Sequence, residues 1–219
     1  RIGTESRRMG VLVDDLLLLA RLDQGRPLRA DRVDLSRIVN EAVEDARAVE
    51  PGRPIGGEVA GGVWVTGDED RLRQVIGNLA ANVRVHTPPG TPVEVELTTA
   101  DGAAEVRIVD HGPGIEREHA PRVFDRFYRA DPARSRDRGG SGLGLSIVAS
   151  ITHALGGRLW HEPTPRGGAT FVVQLPLAPS AASHEAPGVE RPVFAPPEPV
   201  FSATSQRDHG TDPASDPII

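Results

Sequence analysis

Two stretches decide the fold of this chain: Val109-Asp110-His111-Gly112-Pro113-Gly114-Ile115 and Gly139-Gly140-Ser141-Gly142-Leu143-Gly144-Leu145. The first places a carboxylate at the end of an apolar strand, where a buried Asp is costly unless a group such as a ligand amine pairs with it. The second leads into an apolar helix, and the free N–H groups of a helix N-terminus form an anion site. Each stretch alone is compatible with an ordinary turn or hinge, but together they predict a nucleotide pocket.

The composition restricts the classes of function. A chain of 219 residues with 38% hydrophobic residues fits one domain plus extensions. Disulfides and thiolate metal sites are excluded because cysteine is absent, and a formal charge of −6 argues against nucleic acid as a partner. No apolar run approaches the roughly 18 residues of a transmembrane helix. The chain begins at Arg1 inside a helical pattern, so we expect it to be a fragment of a longer protein.

The first segment predicts an amphipathic helix from Ile2 to Asp23, ended by Gly25 and Pro27. A stripe this apolar needs a partner surface. A helix bundle or dimer is favoured because the repeat is near 3.5 residues, and packing against the domain's own core is the alternative. The apolar positions are Ile2, Met9, Leu12, Val13, Leu16, Leu17, Leu19 and Ala20.

Caps, turns and alternation predict the other elements. Asp34 is expected to cap a helix to about Val49, and Asp68 a helix from Glu69 to about His86. The remaining predictions are strands at 55–60, 63–66, 93–99, 104–109, 158–162 and 169–175, a short helix at 121–124 and a helix at 146–155.

The third predicted helix carries Asn78 and Asn82, which lie four residues apart and therefore on one face. Asn is a poor residue for a helix interior. The two side chains are either solvated surface groups or amide oxygens offered to a hard cation such as Mg²⁺ on nucleotide phosphates.

Five motifs in the order of the chain resemble those of sensor histidine kinases. They are an N box at 78–87, a first glycine box at 110–115, an F box at 124–129, a second glycine box at 140–145 and a last glycine motif at 167–171. The first helix resembles the second helix of that family's dimerisation hairpin.

The resemblance implies an α+β fold, the two-layer α/β sandwich of the Bergerat (GHKL) type, with a mixed sheet covered by helices on one face. One bundle-forming helix precedes it and a disordered tail follows. The implied domains are 1–27 (the hairpin helix), 28–177 (the ATP-binding catalytic domain) and 178–219 (a tail rich in Pro, Ala and Ser).

The resemblance also implies residue roles. Asp110 would accept from the amine of adenine, Asn82 would coordinate Mg²⁺ with Asn78 in support, Arg84 would meet phosphate, and Thr170 would reach adenine through water. Arg126 and Tyr128 would belong to a mobile lid that includes 130–140. The full cofactor-binding set is Asn78, Asn82, Arg84, Asp110, Gly112, Gly114, Ile115, Arg126, Tyr128, Gly140, Gly142, Leu143, Gly144, Leu145 and Thr170, with Asn82 as the metal ligand.

The function implied is Mg-ATP binding and transfer of the γ-phosphoryl group to a histidine, for relay to a response-regulator aspartate. None of the seven histidines has the flanking pattern of an acceptor, so no catalytic residue is assigned and the chain alone is not expected to autophosphorylate. The implied parent is a homodimer joined through the first helix and anchored in the membrane, with this portion in the cytoplasm.

Related classes fit less well. Hydrolytic ATPases of this fold carry a Glu one turn before the Mg²⁺ ligand, where this chain has Asn78. Anti-sigma serine kinases lack the leucine-rich first helix. A non-catalytic scaffold that binds nucleotide and dimerises stays open as an alternative.

Overall fold

The computed structural model describes residues 2–130 and 141–179, with side chains from residue 9 onward. The expectations for Gly140, for most of the lid and for residues 180–219 therefore lie outside the described residues. Within the described part, no helix is long and apolar enough to cross a bilayer.

Helices and strands follow one another in a mixed order. A short 3₁₀ helix spans Ala120–Arg122. In chain order the other elements are α1 (Ile2–Asp23), β1 (Asp31–Asp34), α2 (Leu35–Val49), β2 (Ile55–Gly56), β3 (Trp64–Gly67), α3 (Glu69–His86), β4 (Val93–Ala100), β5 (Ala103–Asp110), α4 (Gly144–Ala154), β6 (Arg158–Pro163) and β7 (Ala169–Pro176).

The strands form a five-stranded mixed sheet in the order β2-β4-β5-β7-β6 and a two-stranded sheet of β1 and β3. Only the β2–β4 pair is parallel, and the other pairs are antiparallel. Alternate residues of β5 are buried, so Ala104, Val106, Ile108 and Asp110 share the face that contacts the helices. The sheet therefore delivers Asp110 to the helical layer at the end of a strand, and the predicted fold class is confirmed.

Helices α2, α3 and α4 bury their apolar faces against this sheet. The Asp68 carboxylate begins α3 by accepting hydrogen bonds from the N–H groups of Asp70 and Arg71, at 3.1 and 3.3 Å. The core residues that α3 and α4 contribute are Leu72, Val75, Ile76, Leu79, Val83, Ile147, Val148 and Ile151, each at most 4% exposed. Burial on this scale fixes the rotation of both helices, and with it the direction of their polar residues.

Helix α1 combines the two interpretations that its sequence left open. Leu18 and Leu19 are 7% and 1% exposed, and α1 packs against α4. Other apolar residues of α1 remain in solvent: Met9, Val11, Val13, Leu16 and Leu17, which are 43–62% exposed. One face of α1 therefore belongs to the domain core, while the other still lacks a cover within the described residues.

Two local predictions differ from the structure. Residues 31–34 form β1, which the sequence analysis did not predict because only Val33 in this segment is apolar and its partner strand lies more than 30 residues further on. The strand predicted at 55–60 is regular only over Ile55–Gly56. Gly57 breaks it with φ of +106°, and a Cβ there would overlap the Val95 backbone.

Candidate nucleotide-binding site

The Asp110 carboxylate forms one end of the site. Asp110 is 5% exposed, and its Oδ1 accepts a hydrogen bond from the Gly112 N–H at 2.9 Å. Within the described residues, Oδ2 accepts none. This free oxygen on an otherwise buried side chain is suited to a donor supplied by a ligand, such as an exocyclic amine.

Glycines around Asp110 allow the backbone to approach closely. A Cβ on Gly112 would lie 2.8 Å from Thr87 Cγ2 and 2.9 Å from Asp110 Oδ1. Gly114 has φ of +78°, and a Cβ there would lie 3.0 Å from the Gly168 carbonyl oxygen. Gly168, with φ of +115°, approaches so closely that a Cβ would overlap the Asp110 carbonyl oxygen. The glycines of the first box and the last glycine motif are therefore required by packing against one another.

The start of α4 forms the other end of the candidate site. Leu143 is the N-cap residue and provides no side-chain cap, and its own N–H donates to Ser141 Oγ at 3.2 Å. The first intrahelical bond runs from the Ile147 N–H to the Leu143 carbonyl, so the N–H groups of Gly144, Leu145 and Ser146 precede the hydrogen-bonded ladder. Gly142, with φ of +73°, makes the turn that exposes them. This geometry is suited to phosphate oxygens.

Helix α3 connects the two ends. Asn78 Nδ2 donates to the Gly144 carbonyl at 3.3 Å, and Thr87 after the last turn contacts Gly112 beside Asp110. The nine-residue step from Asn78 to Thr87, at 1.5 Å per residue, gives about 13.5 Å between these points, a distance on the scale of a nucleotide. Asn82 lies between them, half-buried and without a hydrogen bond in the described part of the chain, so its amide oxygen is available.

Arg84 and Thr170 are not brought to this pocket. Arg84 is exposed and lines a cavity of about 300 Å³ between α2 and α3, because a residue two positions after Asn82 points to the other side of a helix. Thr170 pairs with Val109, so it lies on the sheet face opposite that of Asp110, and its hydroxyl hydrogen-bonds with that of Thr164 at 2.9 Å. Neither position supports the role that the resemblance implied.

The F box packs beside the start of α4. The Phe127 N–H donates to the Gly142 carbonyl at 2.9 Å, and Phe127 itself has φ of +60°. Tyr128 Oη hydrogen-bonds with His119 Nδ1 at 2.8 Å. Arg126 Nη2 donates to Asp23 Oδ1 at 2.6 Å, and this hydrogen bond lowers the pKa of Asp23 below its ordinary value. The predicted lid residues thus contact the second glycine box, and Arg126 links them to α1.

Sequence reasoning missed two residues. Arg129 ends the F box with Nε and Nη2 buried and without hydrogen-bond partners among the described residues. Buried guanidinium nitrogens without an acceptor are costly, so this side chain is a further candidate for phosphate. Thr87 is 3% exposed and contacts Gly112 through its methyl group. Arg129 had a signal, as the second basic residue of the F box, whereas the contact of Thr87 follows only from the fold.

Comparisons with known proteins agree with this geometry. The model of the family described as "Histidine kinase-, DNA gyrase B-, and HSP90-like ATPase" matches residues 67–179. The probable sensor histidine kinase TcrY of Mycobacterium tuberculosis is 44% identical over 178 residues, which are 81% of this chain and 37% of TcrY. The chain therefore spans little more than a third of that relative.

Solved structures show the same fold. The mycobacterial sensor histidine kinase MprB superposes with a TM-score of 0.60 at 31% identity, covering 68% of this chain and 99% of that one. Full-length ShkA in complex with AMPPNP superposes with a TM-score of 0.66 at 30% identity, covering 80% of this chain and 37% of ShkA. The chain belongs to the histidine kinase-, DNA gyrase B- and HSP90-like ATPase family, and it is the ATP-binding catalytic domain of a sensor histidine kinase.

Proposed function

We propose that this domain binds Mg-ATP with the adenine at Asp110 and the phosphates at the start of α4, and that it transfers the γ-phosphoryl group to a histidine. The observation that carries the proposal is the buried Asp110 carboxylate, whose Oδ2 is unpaired within the described residues while Oδ1 is fixed by Gly112. The 6-amino group of adenine is the donor that this oxygen fits. ShkA, solved with AMPPNP, supports the choice of an adenine nucleotide.

The phosphate end would be formed by the free N–H groups at the start of α4, with Gly142 shaping the turn. Arg129, whose buried nitrogens lack partners, would neutralise part of the phosphate charge. Arg126 would contribute only when it leaves Asp23. Arg84 and Thr170 are not included, because they lie on other faces of their elements.

The donor chemistry around Asn82 fits Mg²⁺. An amide oxygen without a hydrogen bond, beside a phosphate site, matches the preference of Mg²⁺ for oxygen ligands from protein and substrate together. Asn78 would support Asn82 from one turn earlier while its amide holds the Gly144 carbonyl. When bound, Mg²⁺ would neutralise charge that develops on the phosphates.

Phosphoryl transfer is favoured over hydrolysis because the residue one helical turn before Asn82 is Asn78, which carries an amide. Asn78 has no basic group to take a proton from water, so this residue cannot activate a hydrolytic nucleophile. The domain would mainly position the triphosphate, and the acceptor histidine would come from the helix that pairs with α1 in the parent protein.

The partners follow from the exposed face of α1. Leu16 and Leu17 are 43% and 51% exposed on a helix whose other side is packed, which supports a bundle with a second copy. A response-regulator receiver domain would accept the phosphoryl group from the histidine. The parent would be anchored in the membrane with this domain in the cytoplasm.

The test is calorimetric titration with AMPPNP, with and without Mg²⁺. We expect micromolar binding that Mg²⁺ strengthens, and loss of most of that strengthening in Asn82→Ala. Asn40→Ala is the matched control, because the Asn40 amide on α2 bonds only to the Ser36 carbonyl. Absence of binding by the unmodified chain would sink the proposal, and equal Mg²⁺ dependence in Asn82→Ala would remove Asn82 from the metal site.

A further inference from the structure

We infer that Arg53 is a positioning residue for adenine recognition, although it lies on the far side of α3 from the nucleotide. The inference rests on the proposed function, since it assigns to Arg53 the orientation of Asp110. Arg53 is the one arginine among the described residues that is buried, at 7% exposure. A guanidinium in this environment needs partners for its donors, and each partner is then held in place.

The partners of Arg53 are the groups that follow α3. Nη1 donates to Thr87 Oγ1 and to the Thr91 carbonyl, both at 2.9 Å, and Nη2 donates to the Pro88 carbonyl at 3.3 Å. Nε bonds to Glu50, which supplies the compensating charge. Arg53 therefore fixes the turn that connects the N-box helix to β4.

Two routes lead from this turn to Asp110. Thr87 donates its hydroxyl to the Val83 carbonyl at 2.8 Å and turns its methyl group toward Gly112, the residue whose N–H holds Asp110 Oδ1. Through the neighbouring strand, the Pro92 carbonyl accepts from the His111 N–H at 3.3 Å, immediately after the bond from Arg53 to Thr91. Both routes place the backbone that orients the carboxylate.

Rotation of Thr87 would have a direct effect on the site. With the Arg53 donor removed, the Thr87 hydroxyl keeps only its bond to Val83, and the turn loses three contacts with Arg53. The Thr87 methyl group fills the space beside Gly112, since a Cβ on Gly112 would lie only 2.8 Å from it, so rotation of Thr87 changes the packing beside Gly112. The expected consequence is a misplaced Oδ2 on Asp110, which weakens the interaction with the 6-amino group and leaves the phosphate end at α4 unchanged.

The test compares AMPPNP with its inosine counterpart, in which a carbonyl replaces the 6-amino group. The dissociation constant of the inosine analogue divided by that of AMPPNP measures the preference for adenine and therefore reports on Asp110. This ratio cancels any loss of folded protein or of phosphate binding. We expect Arg53→Met to reduce this ratio by about tenfold, the equivalent of one hydrogen bond to a charged group. We expect Thr87→Val to reduce it partly, and the double variant to lose little more than Arg53→Met alone.

Arg47→Met is the matched control. Arg47 also pairs with a glutamate three residues earlier and donates to a backbone carbonyl, that of Ile55, but it makes no contact with Thr87. We expect the unmodified ratio in this variant. Arg53→Lys, which keeps the charge beside Glu50, is expected to give an intermediate ratio and replaces Arg53→Met if the latter does not fold.

The outcomes separate the two claims. An unmodified protein that binds AMPPNP but does not distinguish it from the inosine analogue would overturn adenine recognition by Asp110, and the role of Arg53 with it. A strong preference in the unmodified protein that persists in both Arg53 variants would overturn the role of Arg53 alone. Equal weakening of both ligands would show that Arg53 only stabilises the fold.

Discussion

Replacement of Gly168 by alanine tests whether close packing of two glycine motifs builds the base end of the site. Gly168 has φ of +115°, which costs a non-glycine residue roughly 1–3 kcal/mol. The new methyl group would overlap the Asp110 carbonyl oxygen and lie 3.0 Å from His111 Cα, and overpacking of this kind costs about 1–3 kcal/mol more. We therefore expect Gly168→Ala to lower the free energy of unfolding by about 2–6 kcal/mol, a large part of the roughly 5–15 kcal/mol of a typical domain.

The control for this prediction is Gly77→Ala in α3, where a Cβ would meet nothing within 4 Å. In a helix interior this change is expected to stabilise the protein by up to about 1 kcal/mol. Urea unfolding followed by circular dichroism measures both variants. If Gly168→Ala unfolds within about 0.5 kcal/mol of the unmodified protein, the inferred packing between the first glycine box and the last glycine motif is wrong.

Three further predictions concern the cap of α3, the F box and α1. Burial raises the pKa of Asp68, but hydrogen bonds from the Arg29 guanidinium and from the Arg71 N–H leave it below its ordinary value of 3.8. The stabilisation is therefore complete above that value and is lost as the pH falls through the folded-state pKa. The urea midpoint of Asp68→Asn should therefore fall less at acid pH than that of the unmodified protein. An equal fall in both proteins would contradict the stabilising role of the ionised Asp68 carboxylate. Asp23→Ala should change the free energy of unfolding by less than about 1 kcal/mol, because both partners of the ion pair with Arg126 are half-exposed. It should raise the affinity for AMPPNP roughly two- to fivefold by releasing Arg126. An unchanged dissociation constant would exclude Arg126 from the phosphate site. Leu19→Ala should lower the free energy of unfolding by about 2–5 kcal/mol, because Leu19 is buried. Leu17→Ala should leave the free energy of unfolding nearly unchanged but weaken self-association measured by sedimentation. Comparable destabilisation by both substitutions would refute the assignment of one buried and one exposed face to α1.

The sequence predicted the elements whose signals are local. The third helix was predicted from Glu69 to His86, the limits found, because Asp68 caps it and Pro88 follows it closely. The ends of the other strands and helices were predicted within one or two residues, except for β1 and β2. The strand β1 depends on a partner far along the chain, and no periodicity within four residues could indicate it.

In the candidate site, some residues named from the motifs lie together in the structure and others do not. Asp110 and Gly112 lie beside Thr87 after α3, and Gly144 lies beside Asn78 within α3, while their role in nucleotide binding stays a prediction. The resemblance assigned Arg84 to phosphate, but Arg84 lines the cavity between α2 and α3, because two positions along a helix reverse the direction of a side chain. Thr170, which the resemblance placed near adenine through water, lies on the sheet face opposite that of Asp110, because it pairs with Val109.

The supporting residues could not be read from the sequence. Arg53 lies between two prolines in a segment that predicts only a break, and its bonds to Thr87 and Thr91 span 34 and 38 residues. Such contacts become visible only when the sheet brings the start of β4 beside the end of α3. The principal residues of a site are therefore easier to predict than those that hold them in position.

The most direct measurement of the central claim is the dissociation constant of AMPPNP for Asp110→Asn beside that of the unmodified protein. The variant preserves the shape of the side chain but replaces one carboxylate oxygen with an NH2 group. This group is a hydrogen-bond donor and cannot accept a hydrogen bond from the adenine amine. The account predicts a loss of affinity on the order of 100-fold, with the fold intact by circular dichroism. Undiminished affinity would contradict it, because the buried carboxylate would then not be the group that recognises the base.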